Sequence, residues 1–410
     1  MIEYKQFELE NGLKIFVHED KSSPLVAVNI LYNVGSRDEN IEKTGFAHLF
    51  EHLMFGGSAN IRSYDTPLQK VGGQNNAFTS PDITNYYITL PAQNIETAFW
   101  LESDRMMSLS FDPKVLEIQQ KVVIEEFKQR YLNQPYGDAW LKLRPLAYKT
   151  HPYQWATIGK EISHIENATL DDVKAFFHRH YLPNNAIMVV GGNATLSQVQ
   201  KLSEKWFAPI AKGILPVRNL PKELPQLAKR TQKTTAKVPL NAIYKAWHIA
   251  ARMDENYYAI DLLSDILGRG QSSRLYQTLV KEKKIFNSIN AYVTGSIDEG
   301  LFVVEGKLND AFTFEQAENE INLSIDELLT DLTAEETQKV KNQAESSLVL
   351  SEIELLNKVM NLAFSVNLGD ADLINKESGL IQKVTADQII NSGKTYLSEQ
   401  KSSVLYYSRN

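Results

Sequence analysis

The sequence predicts an α+β fold of two similar domains, each a mostly antiparallel sheet packed with helices and related by internal duplication. Three observations lead to this prediction. Apolar residues alternate on both sides of Asn11-Gly12, which is typical of a β-hairpin. Strand-like segments precede the first helical pattern. Two segments that begin at Thr169 and Thr385 resemble each other at an offset of roughly 215 residues, about half of the chain.

The first elements are strands. The Asn11-Gly12 dipeptide predicts a two-residue hairpin turn, and the alternating apolar residues around it are Phe7, Leu9, Leu13, Ile15 and Val17. Residues 25–34 keep the period of two and predict a strand with one apolar face, made of Val26, Val28, Ile30, Tyr32 and Val34. An antiparallel sheet therefore begins near the amino terminus.

A helix follows, with Thr44 as its predicted N-cap and Gly56-Gly57 at its end. Its residues His48, Glu51 and His52 stand at i, i+3 and i+4, so they share one stripe of the helix. The rest of the surface is largely covered by Phe46, Leu49, Phe50 and Leu53. A polar stripe on such an apolar helix needs a binding partner.

That stripe predicts a catalytic zinc site. Burying two imidazoles and a carboxylate costs several kcal/mol unless something binds them, and zinc accepts neutral imidazole nitrogens. We therefore expect His48 and His52 to be metal ligands and Glu51 to remain as the general base. The alternative is a chance histidine pair, but such a pair is not expected to carry a glutamate at i+3 inside an apolar helix.

A catalytic zinc usually has three protein ligands, and Glu126 is the best candidate for the third. It lies in a helix predicted to start at Asp112-Pro113 and to run to Phe127. On a helical wheel its neighbours are Val115, Gln119, Val122 and Val123, which indicates a buried carboxylate. Glu125 instead falls beside lysines and is interpreted as a solvent-exposed residue. Gln119 is expected to hydrogen-bond near the metal and to help orient its ligands. The alternative for Glu126 is an ordinary salt-bridged helix carboxylate.

The remaining histidines lack the spacing of metal ligands. Each is interpreted as a structural or surface residue; they are His18, His151, His164, His178, His180 and His248.

The proline-rich stretch 213–226 is the predicted interdomain linker. It divides the chain into an N-terminal zinc-binding catalytic domain, 1–212, and a C-terminal degenerate repeat domain, 227–410. In the second copy, the positions of His48, Glu51 and His52 are taken by Ile260, Leu263 and Ser264. The second half therefore cannot repeat the metal site, and we expect one Zn²⁺ per chain.

Composition excludes several classes of protein. The net charge of −7 and the absence of long like-charge runs give no footprint for nucleic acid. The chain has no cysteine, so disulfides and thiolate metal sites are excluded. No apolar run is long enough for a membrane span. We expect a cytoplasmic protein, or a periplasmic one if a leader has been removed.

Several segments together resemble the pitrilysin/insulinase family of zinc metallopeptidases, or inverzincins, whose motif is His-x-x-Glu-His. The resemblance is to the short two-domain form, similar to the mitochondrial processing peptidase beta subunit and bacterial homologues. The matching segments are 11–13, 32–39, 45–57, 76–80, 84–87, 122–126, 134–137 and 181–185.

The resemblance implies that His48, His52 and Glu126 bind zinc and that Glu51 activates water for attack on a peptide carbonyl. It also implies that Asn76, Ala77 and Phe78 belong to an exposed strand edge, to which the peptide substrate adds as an extra strand. The alternative for Asn76 is a turn residue after Gly72-Gly73.

The chain departs from the family pattern at two places. Gln119 stands where active relatives often have a glutamate. In the second half, Lys281 and Ser288 stand where many relatives have an arginine and a tyrosine that hold the substrate carbonyl. Because relatives close two such halves around a chamber, we expect a dimer. The missing Arg/Tyr pair favours a heterodimer with a homologous subunit that supplies it, and a homodimer is the alternative.

The predicted function is a zinc-dependent endopeptidase that hydrolyses peptides or unfolded protein segments in a closed chamber formed with a second subunit. One alternative is a leader- or precursor-processing peptidase subunit, which shares the chemistry. Another is a non-catalytic structural subunit, against which the intact His48, Glu51, His52 and Glu126 argue.

Overall fold

The structure, a computed structural model, describes all residues from 1 to 410. Its strands are β1 (Lys5–Glu8), β2 (Lys14–Glu19), β3 (Leu25–Tyr32), β4 (Gln74–Thr79), β5 (Thr84–Pro91), β6 (Ala186–Gly192), β7 (Arg230–Ala236), β8 (Ala242–His248), β9 (Phe286–Val293), β10 (Leu301–Leu308) and β11 (Ser403–Arg409). Its α-helices are α1 (Phe46–Leu53), α2 (Asp65–Lys70), α3 (Ile95–Met107), α4 (Pro113–Phe127), α5 (Ala139–Ala147), α6 (Ile162–Glu166), α7 (Leu170–His180), α8 (Leu196–Trp206), α9 (Tyr257–Gly268), α10 (Phe314–Asp331), α11 (Ala334–Ser351), α12 (Leu355–Asn367), α13 (Leu373–Lys383) and α14 (Ala386–Tyr396). None of these helices combines the length and apolar character needed to cross a membrane.

The strands form two sheets with the same topology. The first has the order β1-β2-β6-β3-β5-β4 and the second the order β7-β11-β8-β10-β9. In each sheet one pair is parallel, β2 with β6 and β7 with β11, and the other pairs are antiparallel. The second sheet therefore repeats the first without β1. This result confirms the predicted α+β class and its duplicated, mostly antiparallel architecture.

The amino-terminal hairpin is confirmed, but its turn is longer than predicted. Phe7 pairs with Ile15 across β1 and β2. Leu9 N–H donates to the carbonyl of Leu13 at 3.1 Å, which leaves three residues in the turn. Gly12 has φ +85°, a conformation that a glycine adopts without strain. The hairpin thus closes through a three-residue loop with Gly12 in the left-handed region.

The chain folds into two compact units that do not follow the contiguous domains 1–212 and 227–410. The first unit contains residues 1–127, 155–220 and 349–376. The second contains 128–154, 221–348 and 377–410. The prediction of contiguous domains is therefore corrected: one segment of each half of the sequence folds with the other half.

The exchanged segments are held by apolar burial. In the first unit, α12 packs on β3 and β6, and its Val359, Leu362 and Ala363 are buried in that core. This helix covers the second face of the sheet, which explains why both faces of β3 are buried. In the second unit, α5 packs on β8 and β11 through Ala139, Leu143 and Ala147. Each helix removes an apolar sheet face from water, which is the main favourable term for its placement.

Candidate metal centre

Helix α1 starts at a glycine and is capped by a carboxylate from the preceding loop. Gly45 is the N-cap, with φ +87° and no side-chain cap of its own. The carboxylate of Glu39 accepts hydrogen bonds from the backbone N–H groups of Gly45 at 2.9 Å and Ala47 at 2.8 Å. Thr44, the predicted cap, instead accepts a hydrogen bond from the N–H of Lys160 at 2.8 Å. The prediction of Thr44 as cap was wrong, because Glu39 reaches the helix terminus through the fold.

The Glu39 carboxyl is buried, and burial raises its pKa to about 8. The N–H groups of Ala47 and Gly45 and the indole of Trp155 act in the opposite direction, because they favour the charged form. Trp155 Nε1 lies 3.1 Å from Glu39 Oε2 and 2.9 Å from the carbonyl oxygen of Ser36. The start of α1 is therefore tied to a buried polar cluster.

The apolar side of α1 anchors the helix in the first unit. Phe46, Leu49, Phe50 and Leu53 are all buried. The Phe50 ring stacks on Tyr181 at a centroid distance of 5.0 Å and contacts Phe176 and Phe177. With this side fixed, the stripe of His48, Glu51 and His52 faces the opposite way.

Helix α4 approaches the end of α1 closely enough to bring Glu126 to the two histidines. A Cβ on Gly56 would lie 2.3 Å from Cγ1 of Val115, so this crossing requires a glycine. The carboxylate of Asp112 accepts a hydrogen bond from Lys114 N–H at 2.8 Å and caps α4 at the predicted position. Glu126 then lies near the last turn of the helix.

The three predicted ligands converge. Glu126 Oε2 lies 3.7 Å from His48 Nε2 and 3.5 Å from His52 Nε2. The three candidate donor atoms lie within 4.8 Å of one another, and the structure offers no other such group of three. Tetrahedral zinc with bonds of about 2.05 Å requires ligand atoms about 3.4 Å apart. The geometry and the two-imidazole, one-carboxylate donor set therefore fit a metal ion.

Access to this group is partial. The exposed fractions of the His48, His52 and Glu126 side chains are 13%, 22% and 18%. All three side chains are thus mostly, but not fully, buried. A site of this kind excludes most of the solvent and leaves an opening for water or substrate.

Glu51 lies on the same stripe and has a hydrogen-bonded partner on the sheet. The Thr79 hydroxyl, at the end of β4, donates to Glu51 Oε2 at 2.6 Å. Glu51 is only partly buried. Its carboxylate is therefore held beside the metal-binding group by a residue from another element.

One expectation for α4 was wrong. Val122, expected to bury Glu126, is 44% exposed. Gln119 lies seven residues before Glu126 on the same helix, about 10 Å along its axis, and its hydrogen bond near the metal stays a prediction. The helical wheel shows which side chains share a face of α4 with Glu126. It does not show whether another element covers that face.

Strand β4 forms the edge of the first sheet and carries Asn76, Ala77 and Phe78. It pairs only with β5, so one side of its backbone has no neighbouring strand. Phe78 is 42% exposed, and the Asn76 amide oxygen accepts a hydrogen bond from Ala77 N–H at 2.8 Å. Asn76 therefore lies in a strand, and its alternative interpretation as a turn residue was wrong.

The other histidines lie outside this group. Burial lowers the pKa of His180 to about 4, and its ring packs on Phe176 at 4.8 Å. His164 Nδ1 lies 2.8 Å from the Thr44 hydroxyl, and His178 is exposed on α7. In the second unit, His151 lies 3.3 Å from Asp298, and His248 lies 3.0 Å from the carbonyl of Ala147. Nδ1 of His18 lies 2.8 Å from the carbonyl of Glu3.

Lys281 and Ser288, which stand at the positions of the expected Arg/Tyr pair, both lie in the second unit and are exposed. Lys281 belongs to the irregular helix Tyr276–Glu282 and lies 5.7 Å from the ring centre of Tyr276. Ser288 lies on β9 opposite Lys307.

Sequence reasoning missed two residues of this region, Glu39 and Thr79. Both stand in segments that carry the family resemblance, 32–39 and 76–80, but no role was assigned to them. Glu39 reaches α1 from the preceding loop, and Thr79 reaches Glu51 from a strand that follows later in the sequence. The family resemblance of segments 32–39 and 76–80 indicated that these segments matter. It did not show which residues Glu39 and Thr79 contact.

Family models match both halves of the chain. Residues 14–147 match the model described as insulinase, peptidase family M16. Residues 167–344 match the model described as peptidase M16 inactive domain. The half that contains the convergent donors is thus the one that matches the insulinase model.

Known proteins resemble the chain over most of its length. It is 30% identical to "Zinc protease PqqE" of Helicobacter pylori over 88% of this chain and 82% of that protein. A crystal structure of a protease from Helicobacter pylori superposes with a TM-score of 0.94 at 27% identity, covering 100% of both chains. A probable mitochondrial-processing peptidase subunit beta of Arabidopsis thaliana is 22% identical over 83% of this chain and 66% of that protein.

Proposed function

The chain belongs to the insulinase family of peptidases, family M16, and from this membership we propose that it is a zinc-dependent endopeptidase acting on peptides or unfolded protein segments. The observation that carries the proposal is the convergence of His48, His52 and Glu126, with Glu51 on the same helix stripe. The name of the Helicobacter pylori relative, a zinc protease, supports zinc as the metal.

His48, His52 and Glu126 would hold the zinc. When bound, zinc supplies a Lewis acid that acidifies water and polarises a peptide carbonyl. Neutral imidazoles and a carboxylate suit this ion, and three ligands leave one position open. The partial burial of the donors supports such an open site.

Glu51 would act as general base and then general acid. It lies one turn from His48 and next to His52 without being one of the three converging donors. In this role it takes a proton from the attacking water and delivers one to the leaving amine. The carboxylate is held for this task by the Thr79 hydroxyl.

The exposed edge of β4 would bind the substrate as an added strand. The backbone of Asn76, Ala77 and Phe78 would supply the hydrogen bonds, so recognition would depend more on an extended backbone than on particular side chains. The absence of a strand on that side of β4 supports this assignment. Peptides and unfolded segments can adopt the required conformation.

Metal analysis with Glu51→Gln tests the proposal. We expect about one zinc per chain in both proteins, because Glu51 is not a ligand. Cleavage of a mixed peptide library is expected to fall by about 10²–10⁴-fold, the contribution of a positioned general base. Glu117→Gln on α4, which removes an exposed carboxylate paired with Lys121, is the matched control and keeps wild-type cleavage. Undiminished cleavage by Glu51→Gln would overturn the assignment.

The proposal includes a second subunit. The Arabidopsis thaliana relative is named as a subunit, and Lys281 and Ser288 replace the Arg/Tyr pair expected from the family resemblance. We expect a dimer. If it is a heterodimer, a homologous subunit supplies the missing Arg/Tyr pair. Light scattering together with peptide cleavage by this chain alone tests the idea. A monodisperse, fully active monomer would contradict it.

Precursor processing is the second candidate function, favoured by the likeness to the processing-peptidase subunit. It predicts cleavage of a presequence-bearing precursor at one site. General peptide hydrolysis predicts cleavage of an unfolded protein at many sites. Mass spectrometry of the two digests distinguishes them.

A further inference from the structure

We propose that Thr79 is a positioning residue for Glu51 and that it links the substrate-binding strand to the general base. The inference rests on the proposed function and deepens it. Its starting point is the hydrogen bond of 2.6 Å from the Thr79 hydroxyl to Glu51 Oε2. Thr79 is the last residue of β4, the strand whose edge is proposed to bind substrate.

The strand fixes the direction of the Thr79 side chain. Along β4, residues 75, 77 and 79 are partly buried and alternate with the exposed residues 74, 76 and 78. Thr79 therefore shares the inner face with Ala77 and points toward the protein. A β-branched side chain also has few χ1 rotamers, so the hydroxyl has little freedom to leave Glu51.

The turn after Thr79 is rigid as well. Ser80 N–H donates to the carbonyl of Ile83 at 2.9 Å. The Ser80 hydroxyl oxygen accepts hydrogen bonds from the N–H groups of Asp82 at 3.1 Å and Ile83 at 3.0 Å. Because the turn is closed by these three bonds, the end of β4 cannot shift easily.

One loop holds this turn. In the loop 35–39, the N–H of Ser36 donates to the carbonyl of Ser80 at 3.2 Å. The N–H of the next residue, Arg37, donates to the carbonyl of Pro81 at 2.9 Å. The loop is therefore attached to the strand end that carries Thr79.

The same loop holds the start of the helix that carries the base. The carboxylate of its last residue, Glu39, accepts hydrogen bonds from the N–H groups of Gly45 and Ala47 at the start of α1. The loop 35–39 thus connects the β4 end and α1 through hydrogen bonds at both of its ends. The spacing between Thr79 and Glu51 is therefore supported by two backbone hydrogen bonds at one end of the loop and by the Glu39 carboxylate at the other, as a positioning contact requires.

The hydrogen bond has a specific chemical consequence. A glutamate carboxylate turns freely about its side-chain bonds unless one oxygen is held. A hydroxyl that donates to Oε2 holds that oxygen in place and so restrains the orientation of the carboxylate beside the three donor residues. Loss of the contact is expected to slow proton transfer, and hence kcat, more than it weakens substrate binding.

The first test separates kcat from KM. Thr79→Val removes the donor at nearly constant shape and is expected to lower kcat about 10- to 100-fold, with KM within about twofold and zinc content unchanged. Thr79→Ser restores the hydroxyl and is expected to recover at least about half of kcat. The matched control is Thr89→Val on β5, whose residue pairs with Gln74 at the opposite end of β4. A wild-type kcat in Thr79→Val, or equal loss in the serine and valine variants, would overturn the proposal.

The second test uses no catalysis and no metal. In zinc-free protein, Tm is measured for Thr79→Val, Glu51→Ala and the double variant. We expect the two changes to be non-additive by at least about 2 °C, because each removes the same hydrogen bond. Additive changes overturn the proposal. If Thr79→Val does not fold, Thr79→Ala takes its place in both tests.

The two proposals can fail separately. A zinc-loaded wild-type protein, assayed with its partner, that cleaves no peptide contradicts the endopeptidase assignment and leaves the thermal coupling unaffected. Additive Tm changes in a protein that cleaves peptides contradict only the role of Thr79.

Discussion

Helices α1 and α9 occupy equivalent places in the repeated topology, since each follows the strand that pairs with β6 or with its counterpart β11. On α1 the stripe at i, i+3 and i+4 is partly exposed and carries His48, Glu51 and His52. On α9 the corresponding stripe is buried in the apolar core and carries Ile260, Leu263 and Ser264.

The difference shows that the scaffold does not determine the site. In the second unit the stripe contributes apolar area to the core, and Ser264 satisfies its hydroxyl within its own helix, on the carbonyl of Asp261. In the first unit the stripe presents the candidate donor atoms of His48 and His52, and the Glu126 carboxylate from α4 converges on them. The same helix position thus belongs to the core in one copy and presents partly exposed polar side chains in the other. The family model that matches the second half is described as inactive.

The largest expected effect comes from exchanging the residues at the i+3 position. Leu263→Glu places a carboxylate in a core position that is 1% exposed and is expected to destabilise the second unit by more than about 4 kcal/mol. Glu51→Leu, at a partly exposed site, is expected to change stability by less than about 1 kcal/mol. Urea unfolding followed by circular dichroism measures both. Equal losses would contradict the contrast drawn between the two helices.

Removal of a proposed metal ligand is expected to have the next largest effect. His48→Ala takes away one of three donors and is expected to weaken zinc binding by more than about 100-fold, measured by competition with a chelator. His178→Ala, which changes an exposed histidine on α7, is the control and keeps wild-type affinity. Undiminished affinity in His48→Ala would place the metal elsewhere.

The cap of α1 predicts a pH dependence. The folded-state pKa of Glu39 is about 8, against an ordinary value of 4.5, so the folded protein binds the extra proton between these values. This group therefore contributes stability that is present below about pH 4.5 and is lost as the pH rises through about 8. In Glu39→Gln, which has no proton to lose, the free energy of unfolding is expected to fall less as the pH rises, by up to a few kcal/mol. Tm measured from pH 5 to 9 tests this, with exposed Glu42→Gln as control. Parallel curves for wild type and Glu39→Gln would contradict the prediction.

The smallest effect is expected on α9. Burial, followed by the neighbouring Asp265, raises the pKa of Asp261 to about 6 from an ordinary value of 3.8. Stability from this group is therefore present below about pH 3.8 and lost as the pH rises to about 6. Asp261→Asn is expected to flatten the curve in that window by about 2 °C in Tm and to leave it parallel to wild type above pH 7. If the Tm curves of wild type and Asp261→Asn still diverged between pH 7 and 8, the pH windows assigned to Asp261 and Glu39 would not be separate.

The sequence predicted the local parts of the site well. The spacing of His48, Glu51 and His52 specifies a common helix stripe, and the helix from Asp112 to Phe127 was located with its cap. Helical periodicity is a local property, so these predictions needed no knowledge of the fold. The same rules misjudged Val122, because exposure depends on what packs against a helix and not on the helix alone.

The exchanged segments were also beyond local rules. The apolar faces of α5 and α12 indicate burial, but an apolar stripe does not specify which sheet it covers. Contiguous domains were therefore predicted where residues 128–154 and 349–376 are exchanged. Apolar burial is non-directional, so only the assembled fold selects the partner.

By itself the sequence determined the chemistry available to this protein: two imidazoles and a carboxylate at fixed helical spacing, and a second copy of the helix without them. The tertiary structure decided which groups from outside the helix join them. Glu126, Thr79 and Glu39 reach α1 from another helix, a strand end and a loop. The physical reason is that backbone geometry sets the relation of neighbours along a helix, whereas contacts between elements follow from the packing of the whole unit.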